Sequence, residues 1–158
     1  MINKPKTIFC DIDGTLVKHC SPFVATQPNF HMELLPGTLE KLEEWDRKGY
    51  NIILTTGRRE SMRSLTEDHL KKLGIVYDIL IMGLGGGPRV LVNDRKPNSS
   101  KNTAFAVNLV RNEGIKFYDF GSNFCVIPDM IKENKLSDRD CSKIEEYNDN
   151  YIVSRVEL

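Results

Sequence analysis

Two aspartates stand one residue apart at the end of an apolar run. Asp11-Ile12-Asp13-Gly14-Thr15 follows Ile8-Phe9-Cys10. Residues two apart on a strand point to the same face, so both carboxylates share one side. Close carboxylates repel unless a cation or a shared proton offsets their charge. The pair therefore suits a hard cation, acid–base work, or both. Gly14 lets the chain turn sharply with no Cβ in the way. An Asp at a strand end often only caps a turn, which accounts for one aspartate more readily than for two. A calcium EF-hand loop is excluded: Gly14 comes one residue too early, and Pro22 stands where the closing Glu belongs.

Two further sets have the same placement. Thr55-Thr56-Gly57-Arg58 follows Ile52-Ile53-Leu54. A small hydroxyl at a strand tip can hydrogen-bond a phosphate oxygen, and Arg58 can add a charge-assisted contact. Taken alone, this is ordinary turn chemistry. Asn93-Asp94-Arg95-Lys96-Pro97 follows Val90-Leu91-Val92. Taken alone, it reads as a solvated charged turn. Their order changes the weight. Each set ends a different apolar run, and open parallel sheets bind ligands at the carboxyl ends of their strands. Folding would gather acids for a cation, hydroxyls for phosphate, and a Lys or Arg for charge.

The elements that must position these sets follow from the pattern. Residues 7–12 form a nearly continuous apolar run and predict a buried strand. Residues 17–35 carry Pro22 and Pro28 without a clear period and predict a loop. Residues 37–48 predict a helix, with Leu39, Leu42 and Trp45 at three-residue steps and Gly49 as its stop. Residues 51–55 predict a strand. Residues 61–73 predict a second helix, with Met62, Leu65, Leu70 and Leu73 on one side and Gly74 closing it. Residues 77–82 and 90–93 predict further strands. Alternation over 103–109 leans to strand. Beyond Phe120 the pattern weakens to a short helix capped by Ser137 and an edge strand over 151–156. Strand, helix, strand, helix, strand is the signature of a parallel sheet with crossover helices. We read a single domain, with a core over 1–120 and a C-terminal extension over 121–158.

Composition sets the bounds. At 158 residues the chain suits one domain with a core of its own. Lys and Arg total 22, as do Asp and Glu, so no long-range field draws the chain to nucleic acid or to an acidic membrane. Cys10, Cys20, Cys125 and Cys141 are scattered and form no disulfide framework, which points to a reducing, cytoplasmic setting. No apolar run approaches a membrane span. Asn98-Ser99-Ser100 matches a glycosylation pattern that has no use in such a setting.

On these motifs the chain resembles the haloacid dehalogenase-like superfamily of phosphatases and phosphotransferases. Asp11-Ile12-Asp13-Gly14-Thr15 matches its first motif in full, Thr55 its second, and Asp94 after Asn93 its acidic fourth. The resemblance implies a Rossmann-like, doubly wound, mainly parallel α/β sheet. It implies a phosphatase that works through an aspartyl-phosphate. Asp11 would be the nucleophile, and Asp13 the acid and then the base. Asp11, the Asp13 carbonyl and Asp94 would hold Mg²⁺. Thr55 would bind the phosphoryl group, with Gly14, Thr15, Thr56, Gly57 and Arg58 beside it. The chemistry suits these roles: a carboxylate nucleophile splits one hard displacement into two easier ones, and Mg²⁺ takes few protein oxygens while keeping its waters.

The family's third motif is a Lys or Arg, and the stretch from Met82 to Pro88 holds no Lys. Lys96 is the preferred candidate, because Lys72 falls on a helix face that points to water. The glycine run Gly85-Gly86-Gly87 fits neither a P-loop nor a dinucleotide fingerprint and reads as a turn. His19, Cys20 and His31 have poor spacing for zinc and sit in a loop that reads as a flap over the site, where Phe23 and Phe30 would contact substrate or anchor the loop. His69 reads as a packed or surface residue. Neither gap between motifs holds a separate cap domain. The resemblance then implies either a large substrate or an oligomer whose neighbouring subunit covers the open site. We favour a small phosphorylated metabolite, a sugar phosphate, over nucleic acid. The alternatives are a non-catalytic module that binds Mg²⁺ or a phosphoryl ligand, a polynucleotide 3′-phosphatase, and a phosphotransferase.

Overall fold

The structure is a computed structural model and describes residues 5–95, 97 and 103–118. The chain divides into two compact units, Met1–Lys116 and Phe117–Leu158, and the elements below belong to the first. Lys96, the glycosylation-like triplet at 98–100, Cys125, Cys141 and the elements expected after Ser137 and over 151–156 lie outside the described residues.

β1 (Thr7–Asp11), β2 (Asn51–Thr55) and β3 (Ile79–Ile81) form a parallel sheet in the order β1-β2-β3. Asp11 lies opposite Thr55, and Thr55 opposite Ile81. The register thus brings the first two constellations to one edge. This is the expected α/β class with a parallel sheet and crossover helices, and across the described strands it winds in one direction.

One sheet face carries the core. Cys10, Leu54 and Leu80 stand in register and are all buried, as is Ile52 one step back. α2 (Thr38–Arg47) crosses from β1 to β2 and packs on β2. It buries Leu42 and Trp45, but Leu39 is 38% exposed. The apolar stripe is therefore narrower than its three-residue steps predict. A 3-10 turn (Glu60–Met62) leads into α3 (Arg63–Lys72). Here Thr66 and Leu70, four apart, form the buried stripe, and Leu65 is 37% exposed. The helix begins two residues later than expected, because residues 60–62 wind more tightly.

The stretch over 17–35 is more ordered than a plain loop. α1 (Pro22–Ala25) sits inside it, with the Ser21 hydroxyl accepting from the Val24 amide at 3.3 Å. Bridges tie Asp13 to Val17 and Val17 to Leu34. Leu16, Val17, Met32 and Leu35 are buried, so both legs of the excursion are rooted in the core. No separate cap domain interrupts the described residues.

Two expected strands are absent. Residues 90–93 and 103–109 form no strand, and Val90 and Val92 are 84% and 89% exposed. Their apolar pattern signals a strand, but a strand also needs a partner for its backbone, and these segments pair with none of the described strands.

Residues 110–116 return to the first motif. Asn112, in left-handed conformation at φ 67, donates its amide to the Gly14 carbonyl at 2.8 Å. Its side-chain oxygen accepts from the His19 amide at 2.8 Å. Asparagine is among the few residues that adopt this conformation readily. Ile115 and Lys116 donate to the Pro36 carbonyl. Gly37, at φ 82, lies so close that a Cβ there would stand 2.3 Å from the Lys116 Cα.

Candidate active site

Asp11 closes β1 with its side chain about a third exposed. Its Oδ2 accepts from the Thr15 hydroxyl at 3.3 Å. Its Oδ1 accepts from Arg89 Nη2 at 3.1 Å. Burial pushes the Asp11 carboxyl above the ordinary carboxylate range. Arg89 opposes this, the Asp13 charge adds to it, and Thr15 and Arg111 oppose it more weakly. A carboxylate held at such a disadvantage suits a site that supplies positive charge with its ligand. The neighbouring Cys10 thiol, deep in the core, is pushed up to about 12, mainly by burial. It is neither a nucleophile nor a metal ligand at neutral pH.

Asp13 is held from the second constellation. Arg58 donates Nη2 to Asp13 Oδ1 at 2.6 Å and Nε to Oδ2 at 3.0 Å. The Thr56 hydroxyl donates to Oδ2 at 3.0 Å and accepts from the Arg58 amide at 3.1 Å. The Arg58 side chain is only 8% exposed, and its Nη1 is buried without a partner among the described residues. Thr55 is turned elsewhere: its hydroxyl donates to the Cys10 carbonyl at 3.3 Å, inside the sheet. The hydroxyl that meets the acidic pair is that of Thr56, one residue beyond the strand.

The glycine run closes over this turn. Gly83 donates to the Arg58 carbonyl and Leu84 to the Thr56 carbonyl. A Cβ on Gly57 would stand 2.9 Å from the Gly85 carbonyl oxygen, so Gly57 has a packing role. Gly14, at φ 95, needs its missing Cβ for the turn and for the approach of the Arg111 side chain.

The third constellation is not gathered in the same way. Asp94 is exposed, and its carbonyl accepts from the Thr103 hydroxyl, while Asn93 Nδ2 donates to that hydroxyl at 3.1 Å. Among the described residues no group of three or more His, Cys, Asp or Glu forms a metal-ligand cluster. Asp94 therefore does not join Asp11 and Asp13 in one, because no strand carries it to the sheet edge. Lys72 is exposed in the last turn of α3, as its helix face predicts.

Three residues escaped the sequence reading. Arg89 supplies the cation on Asp11. It directly follows the glycine run, where a search confined to Lys passes it over. Arg111 and Asn112 reach the first motif from about a hundred residues away, with no local signal. In the flap, Phe30 anchors: its ring stands 5.6 Å from that of His69. Phe23 is 75% exposed.

A family model described as haloacid dehalogenase-like hydrolase matches residues 8–154. Among solved structures, a chain of a Pnkp1/Rnl/Hen1 complex is 32% identical over 57% of this chain and 32% of its own, with a TM-score of 0.45. A D,D-heptose 1.7-bisphosphate phosphatase from B. bronchiseptica, crystallised with magnesium and phosphate, is 20% identical over 51% of each chain, with a TM-score of 0.38. This chain thus spans about a third of the first and half of the second. No curated protein matches it. Among the described residues no helix is long and apolar enough to cross a membrane.

Proposed function

We propose, from the premise that this chain belongs to the haloacid dehalogenase-like hydrolase family, that it is a Mg²⁺-dependent phosphatase acting through an aspartyl-phosphate on a small phosphorylated metabolite, a sugar phosphate. The observation that carries the proposal is the half-buried Asp11 at the tip of β1, with Arg89 on one oxygen and the Thr15 hydroxyl on the other.

Each residue takes a role its surroundings suit. Asp11 attacks phosphorus. Arg89 and Thr56 bind phosphoryl oxygens, the first by charge and the second by its hydroxyl. Asp13 protonates the leaving oxygen and then takes a proton from the attacking water. In the described arrangement Arg58 and Thr56 hold Asp13, so substrate must draw that carboxyl away from the guanidinium. Lys96 stays a candidate for the third motif alongside Arg89.

Mg²⁺ fits the donor chemistry. Asp11 offers a carboxylate oxygen, and no described residue donates to the Asp13 carbonyl. Two hard oxygens are enough for an ion that keeps most of its waters. Asp94 is proposed as a further ligand on the family pattern. The ion would offset the charge of the nucleophile and phosphate. A neighbouring subunit would cover the capless site.

The experiment is release of phosphate from an aryl phosphate and a sugar-phosphate panel, with Mg²⁺ or EDTA, for wild type and Asp11→Asn. Turnover that needs Mg²⁺ and disappears in the folded mutant is the expected result. Wild type that is inactive on the whole panel yet binds phosphate would replace the enzyme with a non-catalytic phospho-ligand module. Arg58's grip on Asp13 is the observation that favours that second reading.

A further inference from the structure

Beside the acidic pair lies a cavity of about 390 Å³, between α1 and the turn that follows β2. Phe23 and Thr26 line it on the flap side, and Arg58, Arg59 and Met62 on the other. We propose that this cavity binds the leaving group of the substrate, and that it selects a pyranose bearing a second anionic group. The inference rests on the phosphatase reading for what occupies the neighbouring Asp11.

Three independent features of the cavity point to such a ligand. The first is positive charge without a protein partner. Arg58 spends Nε and Nη2 on Asp13, but its Nη1 is buried with no acceptor among the described residues. A buried donor without an acceptor is uncommon in native structures and calls for one. The second is Arg59, the next residue. It is exposed, and no ion pair engages it among the described residues. The other Arg side chains near it are committed: Arg63 to Glu60 and Glu67, Arg89 to Asp11. Two adjacent guanidiniums, one with a free donor and one unpaired, form a receptor for a carboxylate or phosphate.

The third feature is Phe23. It leaves 75% of its surface exposed on a helix of four residues, while its neighbour Ala25 is buried. A large ring held out from a rooted segment and lining a cavity offers a flat apolar face. The C–H face of a pyranose stacks on such a surface, and its hydroxyls stay free for polar groups. Phe30 shows the contrast, since its ring is used up against His69.

The geometry also explains how one ligand could serve both places. Arg58 is shared: it lines the cavity and holds Asp13, two residues from the nucleophile. An anion on Arg58 Nη1 competes for the same guanidinium that restrains Asp13. A substrate with a second anionic group would thus fill the cavity and loosen the grip on the proposed acid.

The test compares α-glucose 1-phosphate with α-glucuronic acid 1-phosphate, which differ by one carboxylate on the same ring. Affinity for the intact protein is measured calorimetrically in EDTA, where turnover does not intrude. Wild type is expected to bind the glucuronic acid ester at least about tenfold more tightly. In Arg59→Gln that preference should fall to about threefold or less. Phe23→Ala should weaken both ligands. Equal affinities in wild type, a preference that survives in Arg59→Gln, or no binding of either ester would each overturn the proposal. The outcome is separable from the enzymatic reading. Selective binding without Mg²⁺-dependent turnover removes the phosphatase and keeps the cavity. Turnover without selectivity does the reverse.

Discussion

Arg58 holds both carboxylate oxygens of Asp13, at 2.6 Å from Nη2 to Oδ1 and 3.0 Å from Nε to Oδ2, with both side chains largely withdrawn from water. Removing one partner of such a pair leaves the other charge buried and uncompensated. Arg58→Ala and Asp13→Asn are each expected to lose about 3 kcal/mol of stability in urea titration. The double variant should lose clearly less than the sum, since the residues act as a unit. Additive losses would show that the pair is not coupled in solution.

The two adjacent threonines should behave differently. Thr56 touches Asp13, while Thr55 serves the sheet through the Cys10 carbonyl. Thr56→Val is expected to lower kcat/KM on the order of 100-fold, as loss of a phosphoryl-binding donor does. Thr55→Val should cost about 1 kcal/mol of stability and less turnover than Thr56→Val. The reverse ranking would return the phosphoryl-binding role to Thr55.

Asp11 is a charge the fold keeps at a disadvantage. Its folded pKa lies above the unfolded value, chiefly through burial. Above that raised value the folded state bears the full penalty of ionisation, and below the unfolded value of about 3.9 it bears none. Wild type should therefore lose stability relative to Asp11→Asn as pH rises through this window. In EDTA, the variant should melt at the same or a higher temperature than wild type near neutral pH, even as it abolishes turnover. Its advantage should vanish under acid. A variant that melts lower at neutral pH would contradict the shift.

Gly37 tests the closure of the fold without touching the chemistry. It holds φ 82, and a Cβ there would meet the Lys116 Cα at 2.3 Å and its amide nitrogen at 2.5 Å. Backbone cannot step aside as a flexible side chain can. Gly37→Ala is expected to cost more than about 1 kcal/mol by conformation alone, with the clash added to it. Chemical denaturation would detect it, and a change within error would mean that residues 114–116 sit elsewhere in solution.

The acidic pair was legible because strand alternation and a turn glycine are local rules, and β1 obeys both. The three β-strands were visible for the same reason, since their apolar runs end in turn residues. Thr56 was harder. Alternation holds only along the ladder, and β2 ends at Thr55, so the next side chain takes a direction that the strand does not set. Val90-Leu91-Val92 misled because composition records a preference for burial and says nothing of an available partner. Arg89, Arg111 and Asn112 reach the first motif across long separations, and no window of sequence contains both ends of such a contact.

The Asn112 contacts also bear on how the protein is made. Asp11 leaves the ribosome early, but the loop behind it is pinned by a residue 93 positions beyond His19. At about 5–20 residues per second, the chain waits several seconds between the two events. Over that interval the nascent strand and its acidic turn exist without their final brace, and closing so long a loop carries its own entropic cost. Arming of the nucleophile is thus a late step in synthesis, reached only when residue 112 has emerged and folded back onto the beginning of the chain.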